Sequence, residues 1–193
     1  VLVYSASINS MNDESHLGFF DIPFISHIPN FVYLAPTNKE EHLAMLEWAI
    51  NQNEHPVAIR VPVGSVVETG KEDKTDYSIL NKNKVEKFGE QVAIFGVGNF
   101  YNLAEEVSEK LKSEHNIEAT LVNPRFLTGL DKKLLNSLKE NHKLVVTVED
   151  GIVEGGYGQT VASYLGNTVL KVQNYGIDKK FYDRYNVEEL MKE

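Results

Sequence analysis

The chain contains no cysteine among its 193 residues, which rules out a disulfide framework and any thiolate metal site. It also lacks a long hydrophobic run, since no apolar stretch approaches the roughly 20 residues that span a bilayer. The opening Val1-Leu2-Val3-Tyr4 offers neither the basic region nor the extended apolar core of a signal peptide. Bases are the third scarcity. Against 28 Asp and Glu stand only 19 Lys and Arg, a formal charge of −9, which argues against nucleic acid or an anionic membrane as main partner, because both need a basic face. A soluble protein of the reducing cytoplasm fits these absences. Internal repeats and low-complexity tracts are missing as well.

What is present is ample core material, with 42% hydrophobic residues, so the chain is expected to be globular. Val1 to Tyr4 reads as a strand already in progress, without initiator Met, cap or turn before it, as expected of a fragment. A polar stretch from Ser10 to Ser15 follows and should be a surface loop, whereas Phe19 to Ile28 is apolar enough to be drawn into a core. His16 sits at that boundary, half wet, where an imidazole can exchange protons or hydrogen bonds near neutral pH. Taken alone, it reads equally as a residue that pins the loop.

Further along, Phe31 to Ala35 reads as a short buried strand. Thr37-Asn38-Lys39-Glu40 has a capping-box pattern, and a helix with Leu43, Leu46, Trp48, Ala49 and Ile50 on its apolar face should follow. Val57 to Val61 is the next strand. Glu68 to Asp76 is charged and poor in apolar residues, as an exposed linker would be, with Tyr77, Ile79 and Leu80 as its anchors and a strand leading through Val85 and Phe88. Then come strands at Val92–Phe95, Ile117–Val122, Leu144–Val148 and Val169–Val172. Between them lie helices at Asn99–Glu114, Asp131–Asn141 and Gly155–Leu165, and Asn186 caps a last short one. Continuous apolar strands alternating with amphipathic helices specify an α/β fold with a mainly parallel sheet.

Two glycine turns invite a ligand. Gly96-Val97-Gly98 lies between strand and helix, yet lacks the third glycine of a dinucleotide fingerprint and has Asn123-Pro124 where a ribose-binding acid belongs, so a tight turn is the better reading. Gly155-Gly156-Tyr157-Gly158 follows Glu149-Asp150 at what should be the functional edge of a parallel sheet. Those two acids are expected to be structural or interfacial, because no further acid or histidine is placed to complete an acid–base pair. No His, Asp or Glu recurs at metal-ligand spacing, and His42, His55, His115 and His142 are read as structural, His42 on a solvated helix face.

Taken in order, the motifs resemble one family. Ser15-His16-x-Gly18-x-Phe20-Asp21, Ile28-Pro29-Asn30, Ala35-Pro36-Thr37, Arg60-x-Pro62-x-Gly64, Arg125-Phe126, Leu130-Asp131, Val146-Thr147-Val148-Glu149, Gly155-Gly156-Tyr157-Gly158 and Tyr175-Gly176-Ile177 are similar to the C-terminal portion of 1-deoxy-D-xylulose-5-phosphate synthases. That family is akin to transketolase and the β subunits of 2-oxoacid dehydrogenases. The resemblance implies thiamine diphosphate and magnesium in the complete protein, with none bound to this portion, and decarboxylation of pyruvate followed by two-carbon transfer to an aldehyde. It implies that residues 1–66 end a pyrimidine-binding domain, 67–85 form a linker, and 86–193 form a transketolase C-terminal domain serving mainly assembly into a homodimer. It makes His16 the substrate-side catalytic histidine, and places a loop aspartate of the family on Asn12, with Asp13 adjacent.

Two departures accompany the match. Where the family has Arg in Tyr-Pro-Arg-Gly, this chain has Val63, and a second family arginine falls within Ser5-Ala6-Ser7. Both arginines look like ligands of the acceptor phosphate, and neither Val nor Ser supplies a charged bidentate fork. At ~1.5–3 kcal/mol per charged hydrogen bond, their joint loss removes roughly 3–6 kcal/mol of phosphate affinity, about two to four decades. A non-catalytic homologue or separate assembly subunit is the competing expectation.

Overall fold

Uninterrupted apolar runs become strands buried on both faces. The computed structural model describes residues 2–5, 17–61 and 67–190. The first part of the chain supplies β1 (Leu2–Ser5), α1 (Asp21–Ser26), β2 (Val32–Leu34), α2 (Lys39–Asn51) and β3 (Val57–Val61), and its strands form a parallel sheet in the order β1-β3-β2. The second part supplies β4 (Lys84–Lys87), β5 (Gln91–Gly96), α3 (Tyr101–His115), β6 (Thr120–Asn123), α4 (Lys132–Asn141), β7 (His142–Ile152), α5 (Tyr157–Leu165), β8 (Lys171–Ile177) and α6 (Val187–Leu190). Its sheet runs β4-β6-β5-β7-β8, parallel throughout except for the antiparallel edge strand β4. The expected α/β class with a mainly parallel sheet is what the chain adopts.

The two sheets are joined. Leu34 of β2 pairs antiparallel with Phe126, just beyond β6. The Ala35 amide donates to the Arg125 carbonyl and the Leu127 amide to the Tyr33 carbonyl, both at 2.8 Å. One buried cluster accordingly takes Tyr33 and Ala58 from the small sheet, Phe95, Val122 and Val145 from the large one, and Tyr157 and Val161 from α5.

Several local expectations are corrected. The apolar segment after Phe19 is a helix: α1 buries Ile22 and Ile25 and begins on Asp21. Six residues are too few for a periodic signal, and a helix this short persists through its tertiary contacts. The cap of α2 lies one residue later than the Thr37-to-Glu40 pattern. Asn38 is the N-cap, accepting from the Glu41 amide at 2.9 Å, while the Glu41 carboxylate reaches back to the Thr37 amide at 3.0 Å and hydroxyl at 2.9 Å. Glu40, freed from that role, accepts from the Thr69 and Gly70 amides and pins the charged stretch that follows β3. The buried face of α2 also differs from the expected one: Glu41, Met45 and Ala49, at successive i, i+4 spacing, are buried, while Leu43 is 55% and Ile50 64% exposed. His42 is half-buried instead of solvated. Strand β7 runs on to Ile152, so Glu149 and Asp150 lie inside it and not beyond its end.

The Gly96-Val97-Gly98 turn is closed by contact with protein. A Cβ on Gly96 would lie 2.6 Å from the Tyr101 Cα and 2.8 Å from the Ala104 Cβ, and Gly98, at φ +50°, has the Ala35 Cβ close by. Close packing against α3 and Ala35 accounts for both glycines of this turn. Gly96→Ala is expected to lower stability by about 1–3 kcal/mol through overpacking, read as a reduced urea midpoint with an unchanged m-value.

Candidate functional site

In a parallel sheet the carboxyl ends of the strands form the functional edge. In the small sheet that edge is where β1 hands over to the segment carrying Asn12, Asp13 and His16, and where β3 ends at Val61. Asn12, Asp13 and His16 lie outside the described residues, as do Pro62, Val63 and Gly64. The site is built here from what adjoins them.

Arg60, the penultimate residue of β3, is paired in register with Tyr4 of β1. It is a lone charge in the apolar run Val57-Ala58-Ile59-Arg60-Val61, and its side chain is only 2% exposed. Its Nε donates to Asp21 Oδ2 at 2.8 Å, Nη2 donates to the other oxygen of Asp21 at 3.4 Å and to the Asp150 carbonyl at 3.3 Å, and Nη1 donates to Asp150 Oδ1. The Tyr33 hydroxyl adds a 2.5 Å bond to Asp21 Oδ2. Burial by itself would lower the guanidinium pKa, but the flanking Asp150 and Asp21 charges outweigh it and hold the value well above the ordinary one. The arginine is a permanent cation here.

The same region holds the turn that continues from His16. The Phe19 carbonyl accepts from the Ile152 amide of β7 at 2.9 Å, and the Phe19 ring meets Tyr182 and Tyr185 edge-on at 5.3 and 5.8 Å between centroids. Residues Leu17 to Asp21 are therefore held by β7, by the segment before α6, and by Arg60 from the small sheet. Asp150 Oδ2 is buried without a hydrogen-bond partner among the described residues.

Glu149, the neighbouring residue on β7, faces the start of α5. Its two oxygens accept from the Tyr157 amide at 2.9 Å and the Gly158 amide at 2.8 Å, filling the helix N-terminus. Gly156 has to be glycine at this approach, since a Cβ there would stand 2.6 Å from Glu149 Oε2 and from the Ile152 carbonyl. The glycine-rich turn and the Glu149-Asp150 pair thus form one structural unit. Burial drives the Glu149 carboxyl up to about 7, against the opposing pull of the two amides and Arg60.

A second buried ion network is structural. Arg125 Nε donates to Glu41 at 3.2 Å and Asn123 Nδ2 to the same carboxylate at 2.9 Å, which fastens α2 to the end of β6. Of the histidines read as structural, His142 bonds Thr120 at 2.9 Å and the Leu138 carbonyl at 3.2 Å. Burial lowers the His42 pKa, consistent with its half-buried place. Among the described residues no group of three or more His, Asp or Glu is placed to hold a metal ion. A cleft of about 530 Å³ beside α2 and α3 is lined by the acids Glu40, Glu41, Glu72, Asp73, Glu86 and Glu105 against Lys71 and Lys84, a net negative surface that disfavours a diphosphate.

The sequence singled out Glu149 and Asp150 without finding the groups they meet. Asp21 and Arg60 are 39 positions apart, and Arg60 and Asp150 are 90 apart. One signal was available, because an arginine inside an otherwise apolar strand is rarely buried without a partner. Chemically the network orients and does not react: Arg60 has no accessible neutral form, and Asp21 is engaged by both Arg60 and Tyr33.

The raised Glu149 value has a sign that can be measured. The folded state keeps its proton to about pH 7, against 4.5 for the ordinary group, so the folded form binds more protons across that window. Stability from this group is complete below about pH 4.5 and is lost as pH rises through about 7. Chemical unfolding at pH 5 and pH 8 should differ by on the order of 3 kcal/mol from this residue, and Glu149→Gln should flatten the slope.

Comparison with known proteins places these features. Residues 81–193 match the family described as transketolase, C-terminal domain. The chain is 35% identical over 191 residues to 1-deoxy-D-xylulose-5-phosphate synthase of Clostridium tetani, covering 97% of this chain and 30% of that one. For the Clostridium perfringens (strain 13) synthase the identity is 36% over 160 residues, covering 83% and 26%, and for that of Geobacillus sp. (strain WCH70) it is 30% over 191 residues, covering 97% and 30%. The chain spans about 30% of the length of these curated relatives. A solved chain described as a split gene transketolase, inactive β4 tetramer, superposes with a TM-score of 0.81 at 23% identity over 98% of this chain and 60% of that one, which establishes the fold. By the match over residues 81–193, the protein belongs to the transketolase C-terminal domain family.

Proposed function

We propose that the chain is the C-terminal portion of a 1-deoxy-D-xylulose-5-phosphate synthase-like transferase dependent on thiamine diphosphate, and that the full-length protein decarboxylates pyruvate and passes the two-carbon unit to an aldehyde. The observation that carries this reading is the match to such a synthase over 97% of the chain, spanning both sheets. A cytoplasmic homodimer and a place in isoprenoid biosynthesis go with it. So does the division into residues 1–66 from a pyrimidine-binding domain, 67–85 as linker and 86–193 as C-terminal domain.

In this reading His16 is the catalytic, substrate-side histidine, with Asn12 and Asp13 beside it as substrate-binding groups. The described residues do not fit the diphosphate and magnesium end of the cofactor. They offer no three-carboxylate or histidine cluster, Glu41 and Glu149 are filled by internal donors, and the acidic cleft has the wrong sign. Its ligands are assigned to parts of the full-length protein beyond this chain.

One observation favours a second reading. The solved neighbour is a product of a split gene and an inactive tetramer, so a separate subunit working through assembly is the alternative.

Kinetics of the full-length protein with pyruvate and either glyceraldehyde 3-phosphate or glyceraldehyde separate the possibilities. With both phosphate-binding arginines replaced, the preference for the phosphorylated acceptor should be weaker by roughly two to four decades than in a synthase that retains them. An undiminished preference would overturn the arginine argument. Absence of carboligation with both acceptors would favour the assembly subunit.

A further inference from the structure

The opposite edge of the small sheet, where β2 and β3 begin, borders a cavity of about 330 Å³. Val32 stands opposite Val57 in this parallel pair, and the Val32 amide donates to the Pro56 carbonyl at 2.9 Å, so the segments entering the two strands run side by side. One of them brings His27, the C-cap of α1, and Asn30; the other brings His55. Asn81 and Thr128 line the same cavity from the second part of the chain. The His27 Nδ1 donates to the Pro23 carbonyl. Because a carbonyl can only accept, the neutral ring keeps its lone pair on Nε2. A backbone carbonyl that holds one ring nitrogen is the usual support of a histidine that ligates a metal through the other. His55 is fixed through its backbone, its amide donating to Gln52 Oε1 and its carbonyl accepting from Gln52 Nε2, both at 2.9 Å. Its Nδ1 is buried and has no hydrogen-bond partner among the described residues, a condition that calls for an explanation.

We propose that His27 and His55 form a binding site for a divalent transition-metal ion of the imidazole-preferring class, zinc, nickel or copper, with water completing its coordination. The choice of ion follows from the lining. Among the described residues no Asp or Glu lines the cavity, which disfavours magnesium and calcium with their preference for oxygen ligands, whereas neutral imidazole suits zinc, nickel and copper. Two protein ligands are fewer than the four of a closed structural centre, in keeping with the absence of a larger ligand cluster among the described residues. The site is therefore open and exchangeable, and an ion in it joins the end of α1 to the entry of β3. It lies at the edge of the sheet away from the carboxyl ends of the strands, and it does not depend on the transferase reading given above.

The test is calorimetric titration of the full-length protein with zinc chloride in buffer saturated with magnesium, alongside His27→Ala and His55→Gln. The wild type should show a zinc site that magnesium does not displace. Each variant should weaken that site by about tenfold or more, since perturbing even an outer-shell partner of a ligand costs that much. Zinc bound to the folded form should also raise the thermal midpoint of the wild type and leave that of both variants unmoved. His27 is exposed, so His27→Ala reports on the site even if His55→Gln does not fold. Unchanged zinc affinity in His27→Ala would overturn the proposal, as would a loss confined to one of two folded variants, which marks a single surface imidazole. A wild type without a magnesium-resistant zinc site would overturn it as well, leaving the cavity to water.

Discussion

A guanidinium taken out of water costs several kcal/mol even after the protein relaxes around it, and Arg60 recovers that only by giving its donors to Asp21 and Asp150 at once. Elements from both sheets and from α1 meet at this guanidinium. Helix α1 begins on Asp21, whose carboxylate meets Arg60 near the end of β3. Strand β7 continues past its apolar run and carries Asp150 to the same guanidinium from the other sheet. The antiparallel joint between Leu34 and Phe126 brings the sheets close enough for both to happen. Losing one carboxylate would leave a buried charge short of its partner, so the three residues stand or fall as a group.

The elements that were legible in the sequence are those with a strong local signal. Val57 to Val61, Val92 to Phe95 and Leu144 to Val148 are apolar runs of strand length between turns, and helix α4 has a clear start, with Asp131 capping it through the Leu134 amide. Failures occur where two local patterns compete. Thr37 and Asn38 are both good caps one residue apart, and the sequence alone does not choose between them. Helix α1 was invisible because its apolar content is that of a strand and its length that of a turn. The Arg60 network was invisible for another reason: pairing across 39 and 90 positions is a property of topology, and a single sequence holds no record of it beyond the oddity of a charge in an apolar strand. Motif order, in contrast, revealed the family, because each weak pattern constrained where the next should fall.

The fold neighbour shares 23% of residues at a TM-score of 0.81, so the fold tolerates change at most positions. Parallel strands buried on both faces accept any β-branched or apolar residue of suitable volume. The positions with little freedom are those where backbones nearly touch or polar groups are sealed in. Gly156 under Glu149 and Gly96 under α3 are of the first kind. Glu41 with Arg125, and Glu149 with the amides of α5, are of the second. The −9 charge of the chain sits largely on its outside, as in the cleft edged by Glu40, Glu72, Glu86 and Glu105, and leaves these inner pairs untouched.

The span between Arg60 and Asp150 also constrains how a gene of this kind can be divided. A cut between those two codons would put the cation on one polypeptide and half of its counter-charge on another. Each piece would then have to expose, until the pieces met, a buried ionic surface that water solvates well and protein contacts barely improve. Fission points upstream of β1 or downstream of β7 carry no such penalty. The position of a single arginine thus limits which rearrangements of the coding sequence can still yield a protein that assembles.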